Sequence, residues 1–263
     1  MVDQNKFFEV VQREYTNKRT SMILKHQPEL AVMRFNKFNV TSLLHLAASQ
    51  GNVELAKLLL NAAKGLGQII VDIRDKDDNT PLHWAAMSGH LEMIKLLHGE
   101  GAKMAPKNVV GTTPLSDAAG AGWVEIVKYI TKLTGPMSLF EKNSYNLDPF
   151  ARAVYSLQPE ALQVIIDLAK NDDEAKAQLQ EIVGEGFNTR DVVESIALQD
   201  AHMPEVQECI RRVTQILEKA GIKPSAAWQR LSTKERKNTL TINHAGRWKQ
   251  FQEERLRQGK FTS

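Results

Sequence analysis

Apolar residues in this chain fall in short helical stripes separated by polar turns. From Thr80 the order runs Thr-Pro-Leu-His-Trp-Ala-Ala-Met-Ser-Gly-His-Leu-Glu-Met-Ile-Lys-Leu-Leu97. Leu82, Ala85 and Ala86 share one face of a first short helix, and Leu91, Ile94, Leu96 and Leu97 form the buried stripe of a second. Thr80 is placed to cap the first helix through its hydroxyl, and Pro81 stands at the first helical position, where a missing N–H costs nothing. Gly89 closes that helix, because a left-handed residue is cheap when it has no Cβ.

The same order returns at Thr112-Thr-Pro-Leu-Ser-Asp-Ala-Ala-Gly-Ala-Gly-Trp-Val-Glu-Ile-Val-Lys-Tyr-Ile130, and an earlier copy runs from Thr41 to Leu60. Pro81 and Pro114 are 33 residues apart, whereas His45 and His83 are 38 apart. The surplus of the first unit is assigned to Gly65–Ile70. Asn146–Tyr155 followed by Pro159–Leu168 predicts a fourth, divergent helix pair. Asp172–Glu185 reads as an inserted or extended helical segment, and a fifth pair is expected near Thr189–Asp200 and Pro204–Ala220. At the front, Gln4–Tyr15 and Lys18–His26 look helical and lack the motif, as a cap covering the apolar end of the stack would.

Three copies of a Thr/Ser-x-Leu-x-x-Ala-Ala core at this period resemble the ankyrin repeat, a β-turn followed by two short antiparallel helices. The clear resemblance covers roughly residues 36–134. It implies an all-α repeat solenoid with short hairpin or turn tips, capped by helices at both ends. The expected division is an N-terminal cap over 1–35, repeats over 36–73, 74–106, 107–141 and 142–170, a divergent helical part over 171–222, and a basic helical segment over 223–263. Leu43 replaces the family's proline in the first copy, and Ser116 and Asp117 replace its histidine and apolar residue in the third. Asp78 and Asn146 stand where a turn glycine is expected, and both tolerate the left-handed conformation better than other residues.

The resemblance assigns His45 and His83 a structural role, bonding to neighbouring backbone, in preference to metal binding or catalysis. His90 and His98 lack zinc-like spacing. Asp72, Asp75, Asp77 and Asp78 around Lys76 read as a solvated hairpin tip, since Pro81 interrupts any calcium loop. Gly120-Ala-Gly122 and Gly184-Glu-Gly186 read as turns, with no strand before them to make a nucleotide site. No catalytic, cofactor or metal site is expected.

Recognition is what remains, and in ankyrin proteins it resembles a task of the hairpin tips and the exposed end of the first helix. By register these are Arg74, Lys76, Asp77, Asn79, Met87 and Ser88 in the second repeat, and Lys107, Val109, Val110, Thr112, Gly120 and Ala121 in the third. The fourth contributes Lys142, Ser144, Tyr145, Leu147, Tyr155 and Ser156, and the first Phe38, Asn39, Thr41, Ser49 and Gln50. Val109, Val110, Tyr145 and Tyr155 centre the expected partner contact on repeats three and four, because aromatics within a polar rim carry much interface energy. The competing role for the two tyrosines is packing against the C-terminal helices.

Composition adds bounds. Apolar residues at 42% and charged residues at 25% suit a folded soluble protein. The single Cys209 excludes an internal disulfide and reads as a small buried hydrophobe on a helix. Without a secretory signal or a membrane-length apolar run, a cytoplasmic monomer is expected. The net charge of +3 is unevenly spread: residues 223–263 hold ten Lys/Arg against three Asp/Glu. That tail, with Trp228, Trp248, Phe251 and Phe261 and a capping box at Ser232-Thr-Lys-Glu235, suits a terminal cap, an acidic-surface anchor or a nucleic-acid contact. Glu253-Glu254 and Phe261 loosely resemble C-terminal secretion signals of effectors from intracellular bacteria, which would place the protein in a host cytoplasm. The leading function is a protein-binding scaffold; the alternatives are a nucleic-acid or acidic-surface binder acting through the tail, and an unrecognised enzyme in residues 170–263.

Overall fold

The computed structural model describes residues 17–34, 42–181, 191, 193, 204–222 and 229. Among them are eleven α-helices. Helix α1 (Asn17–His26) and a 3-10 turn (Pro28–Ala31) precede four helix pairs. These are α2 (Leu43–Gln50) with α3 (Val53–Gly65), α4 (Pro81–Ser88) with α5 (Leu91–Gly99), α6 (Pro114–Ala121) with α7 (Val124–Thr134), and α8 (Pro149–Tyr155) with α9 (Pro159–Lys170). A second 3-10 turn (Pro136–Phe140) leads into the fourth pair, and α10 (Asp173–Glu181) and α11 (Pro204–Lys219) follow it.

Each pair is punctuated by the residues that its sequence places at the ends. Ser42, Thr113 and Asp148 accept backbone N–H bonds at the starts of α2, α6 and α8. Pro81, Pro114 and Pro149 occupy first helical positions. Gly51, Gly89 and Gly122 end the first helices at φ 66°, 86° and 83°. In the fourth pair Leu157 takes that place at φ 52°, a strain of about 1 kcal/mol or more for a residue with a Cβ.

The first helices α2, α4, α6 and α8 stack side by side as an inner layer, and α3, α5, α7 and α9 form an outer layer. Ala47, Ala48, Ala85, Ala86, Ala118, Ala119 and Ala153 are fully buried between inner helices. Their small side chains allow the close approach. The outer helices contribute the large apolar groups, among them Leu55, Leu59, Ile94, Leu97, Ile126, Ile130, Leu162 and Ile165. In α5 the buried stripe also includes Met93, while Leu91 and Leu96 are only partly covered.

The ends are covered by helices. Leu24, Leu30 and Ala31, from α1 and the first 3-10 turn, are buried against α3. At the other end α10 and α11 pack on α9, burying Ala175, Leu179, Val213 and Leu217. Arg212 adds a 2.6 Å ion pair to Glu160. Cys209 is half-buried on α11. The surplus segment of the first unit is an irregular loop after Gly65, and Ile69 on it is 91% exposed. Gln4–Tyr15, most of Thr189–Asp200, and the tail apart from Gln229 lie outside the described residues.

Candidate partner-binding surface

The expected hairpin tips are turns without strands among the described residues, and three of them share one construction. Asp75, Asn108 and Asn143 each stand six residues before the helix-starting proline. Their backbone N–H groups donate to the carbonyls of Asn79, Thr112 and Leu147, at 2.9, 3.1 and 3.0 Å. Their side-chain Oδ1 atoms accept from the backbone N–H groups two and four residues on. Each tip then needs a left-handed residue, supplied by Asp78 (φ 61°), Gly111 (φ 77°) and Asn146 (φ 60°). An Asx side chain bonding its own turn explains why these tips hold shape without a strand.

The tips are also joined to one another. Val109 N–H donates to the Asp77 carbonyl at 3.0 Å, and Ser144 N–H to the Val110 carbonyl at 2.9 Å. Arg74 donates to the carbonyls of Asp78 and Lys107, and Lys107 pairs with Glu141 at 2.7 Å. Beneath them, Asn108 donates to Asn79 Oδ1 and Asn143 to Thr112 Oγ1.

These bonds and the burial beneath them correct the expected placement of four residues. Asp75 is not part of a solvated tip: it is buried and accepts from Asp77, Asn79 and the Trp84 indole N–H. Asn79 and Thr112, expected to face a partner, are buried and bonded into the stack. Gly120 is buried as well.

A histidine ladder ties the inner layer to the tips. His45 Nε2–H donates to the Asn79 carbonyl while Nδ1 accepts from the Ser42 hydroxyl, at 3.0 and 2.8 Å. His83 Nε2–H donates to the Thr112 carbonyl, and Nδ1 accepts from Thr80 N–H, both at 3.0 Å. Burial lowers both pKa values, that of His83 to about 4. The geometry agrees: a proton on His83 Nδ1 would confront the Thr80 N–H. The structural role assigned to the two histidines is the one that they occupy. The ladder stops at Ser116, the residue in the same place in the third repeat.

One position along, the inner layer presents Leu46, Trp84, Asp117 and Arg152, all nearly covered. Arg152 donates to Asp117 at 3.2 Å across repeats three and four. Its guanidinium lies close over Gly120, where an added Cβ would come within 3.2 Å of Nε. Charged residues therefore replace apolar ones here as a matched pair.

A repeat stack leaves a groove along its inner helices, and the far edge of that groove, at the helix ends opposite the tips, carries a second set of links. His90 donates to the Ser49 carbonyl and Trp123 to the Met87 carbonyl, both at 3.0 Å. The indole of Trp123 passes over Gly89 so closely that a Cβ there would lie 2.6 Å from the ring. Gly89→Ala thus meets a strained φ and a steric clash together. It is expected to cost about 2 kcal/mol, read from the shift of the urea midpoint. A shift under half of that would mean that the indole moves aside freely.

The expected contact residues separate into two groups. Arg74, Lys76, Asp77, Lys107 and Val109 are exposed at the tips, as are Lys142 and Ser144. Val110, Tyr145, Met87 and Tyr155 are half-buried, and Tyr155 also engages within the fold. Phe38, Asn39 and Thr41 lie outside the described residues. Sequence reasoning missed Trp123, which is 42% exposed on the groove edge. Among the described residues no cluster of His, Cys, Asp and Glu is arranged to hold a metal ion, and no helix is long and apolar enough to cross a membrane.

The stacked helix pairs, the histidine ladder and the turn tips define an ankyrin-type solenoid. Residues 17–108 match the family model for ankyrin repeats (three copies), and the chain carries ankyrin repeats. The match begins inside the segment expected to be a cap. Similar proteins include the transient receptor potential cation channel subfamily A member 1 homolog of Caenorhabditis elegans, 39% identical over 31% of this chain and 6% of that protein. Palmitoyltransferase AKR1 of Saccharomyces cerevisiae is 32% identical over 46% of this chain and 16% of its own length. The human SMC5-SMC6 complex localization factor protein 1 is 30% identical over 54% of this chain and 13% of its own length. The chain thus spans less than a fifth of each of these relatives. What they share with it is the repeat module.

Proposed function

We propose that this chain is a non-enzymatic scaffold that holds another protein on the turn tips and groove edge of repeats three and four. The observation that carries the reading is Val109, an apolar side chain 66% exposed at a tip whose backbone is bonded to the tips on both sides. A rigid apolar side chain within a polar rim is the pattern of an interface anchor. Val110 and Tyr145 flank it half-exposed, and Tyr155 lines the groove below. On the outer helices charges pair within single helices, Glu54 with Lys57, Glu92 with Lys95 and Glu125 with Lys128, at 3.0, 2.7 and 2.8 Å.

In this reading the chain acts as a cytoplasmic monomer without a cofactor. It serves either its own cell or, as the C-terminal resemblance implies, a host cell. Affinity capture from lysate with and without nuclease separates protein partners from nucleic-acid bridging. For a captured partner, combined Val109→Ala, Val110→Ala, Tyr145→Ala and Tyr155→Ala is expected to weaken binding by about 2–4 kcal/mol with the helical content intact. Wild-type affinity in the combined variant would move the contact elsewhere.

A further inference from the structure

We propose that the tips of repeats three and four receive an extended acidic segment of a partner protein, with carboxylates on Lys107 and Lys142 and an apolar side chain on Val109. The inference rests on the binding reading above and names the chemistry of the partner.

The three tips are equivalent, so their side chains repeat in rows. Arg74, Lys107 and Lys142 each precede the turn-forming Asx residue, and Lys76, Val109 and Ser144 each follow it. Packed inner helices lie about 8–10 Å apart. An extended chain advances about 3.3 Å per residue. Every third residue of an extended segment therefore meets the next tip, whereas a helix offers side chains on one face every 5.4 Å.

Charge sets which residues these are. Lys142 is exposed and makes no ion pair among the described residues. Lys107 is paired with Glu141, but the two side chains are 49% and 37% exposed. A pair so open to water contributes little and exchanges readily for another carboxylate. Arg74 is committed to the carbonyls of Asp78 and Lys107. On the tip of repeat two the exposed charges balance, Arg74 and Lys76 against Asp77 and Asp78. Acidic residues of the partner are thus drawn to repeats three and four, where Lys107 and Lys142 face only Glu141, more than to the charge-balanced tip of repeat two.

The test uses the full chain and two labelled synthetic peptides of equal composition, followed by fluorescence anisotropy. One has glutamate at every third position with leucine beside the central one; the other has its glutamates consecutive. The spaced peptide is expected to bind about tenfold more tightly, with affinity falling as salt rises. Val109→Asp and Lys142→Glu are each expected to weaken it about tenfold, while Lys57→Glu on the outer face leaves it unchanged. Both central substitutions are at exposed positions, and circular dichroism checks that the fold persists. Equal affinity for the two peptides, absence of binding by either, or indifference to Lys142→Glu would overturn the proposal. A protein partner whose hydrogen-exchange footprint covers tips three and four, yet which ignores Lys142→Glu and salt, would overturn the acidic segment and leave the binding reading intact. A footprint elsewhere would remove both.

Discussion

Phe150→Ala is expected to lower stability by about 4 kcal/mol, and the loss should be confined to the C-terminal half of the stack. Phe150 is fully buried on α8, with its ring centroid 6.2 Å from that of Phe140 in the preceding 3-10 turn. That turn in turn packs against α7, α9 and α10. The side chain therefore joins repeat four to the segment that links it to repeat three. In a solenoid each unit touches only its neighbours, so a defect need not spread to distant repeats. Hydrogen exchange should show lost protection over 140–181 and 204–222, while 43–130 keep theirs. The His83 to Thr112 bond lies in the protected part. A uniform loss across all repeats, with one unfolding transition, would show instead that the stack behaves as a single cooperative unit.

The helix pairs were legible because their signals are local. Pro81 and Pro114 start helices, Gly89 and Gly122 end them, and the apolar stripe of each second helix lies within a dozen residues. Asp78 and Asn146 were readable as left-handed residues for the same reason. What sequence reasoning misplaced depends on a neighbour about 33 residues away. Asn79 and Thr112 look like exposed turn residues until stacking brings Asn108 and Asn143 against them. Asp117 looks like a departure from the family pattern until Arg152 arrives from the next repeat. One signal was present and went unused: Asp75, Asn108 and Asn143 hold the same offset from Pro81, Pro114 and Pro149. A side chain that recurs at the repeat period in an otherwise variable turn is bonding the turn itself. That would have placed Asp75 in the scaffold and left Lys76, Val109 and Ser144 as the variable, outward positions. The candidate surface is thus narrower than the sequence suggests, with its exposed part at the tips and its half-covered part along the groove.

Asp148→Asn is expected to stabilise the protein by up to about 3 kcal/mol above pH 6 and to expose an acid sensitivity that the native chain partly conceals. Asp148 caps α8 where the other repeats use Ser42, Thr80 and Thr113, and it is buried. Burial raises its pKa from 3.8 to about 6, against the bond from Ala151 N–H and the nearby Lys142 charge, which lower it. A folded-state pKa above the unfolded value favours folding fully below pH 3.8, and that benefit is lost as pH rises through 6. Asparagine caps a helix about as well as aspartate and carries no charge to bury. His83 has the opposite sign. Its pKa falls from 6.5 to about 4, so its contribution is present above 6.5 and is lost as pH falls toward 4, again by about 3 kcal/mol. His45, lowered by burial as well, adds loss in the same direction. Between pH 4 and 6.5 the carboxyl therefore offsets about one imidazole in the native chain, and its urea midpoint should fall on acidification only by what His45 adds. In Asp148→Asn only the histidines remain, and the midpoint should fall steeply on acidification, with the advantage over the native chain vanishing near pH 4. Parallel pH profiles for the two proteins would show that Asp148 is ionised as easily in the fold as in water, and that the cap of repeat four carries no stored cost.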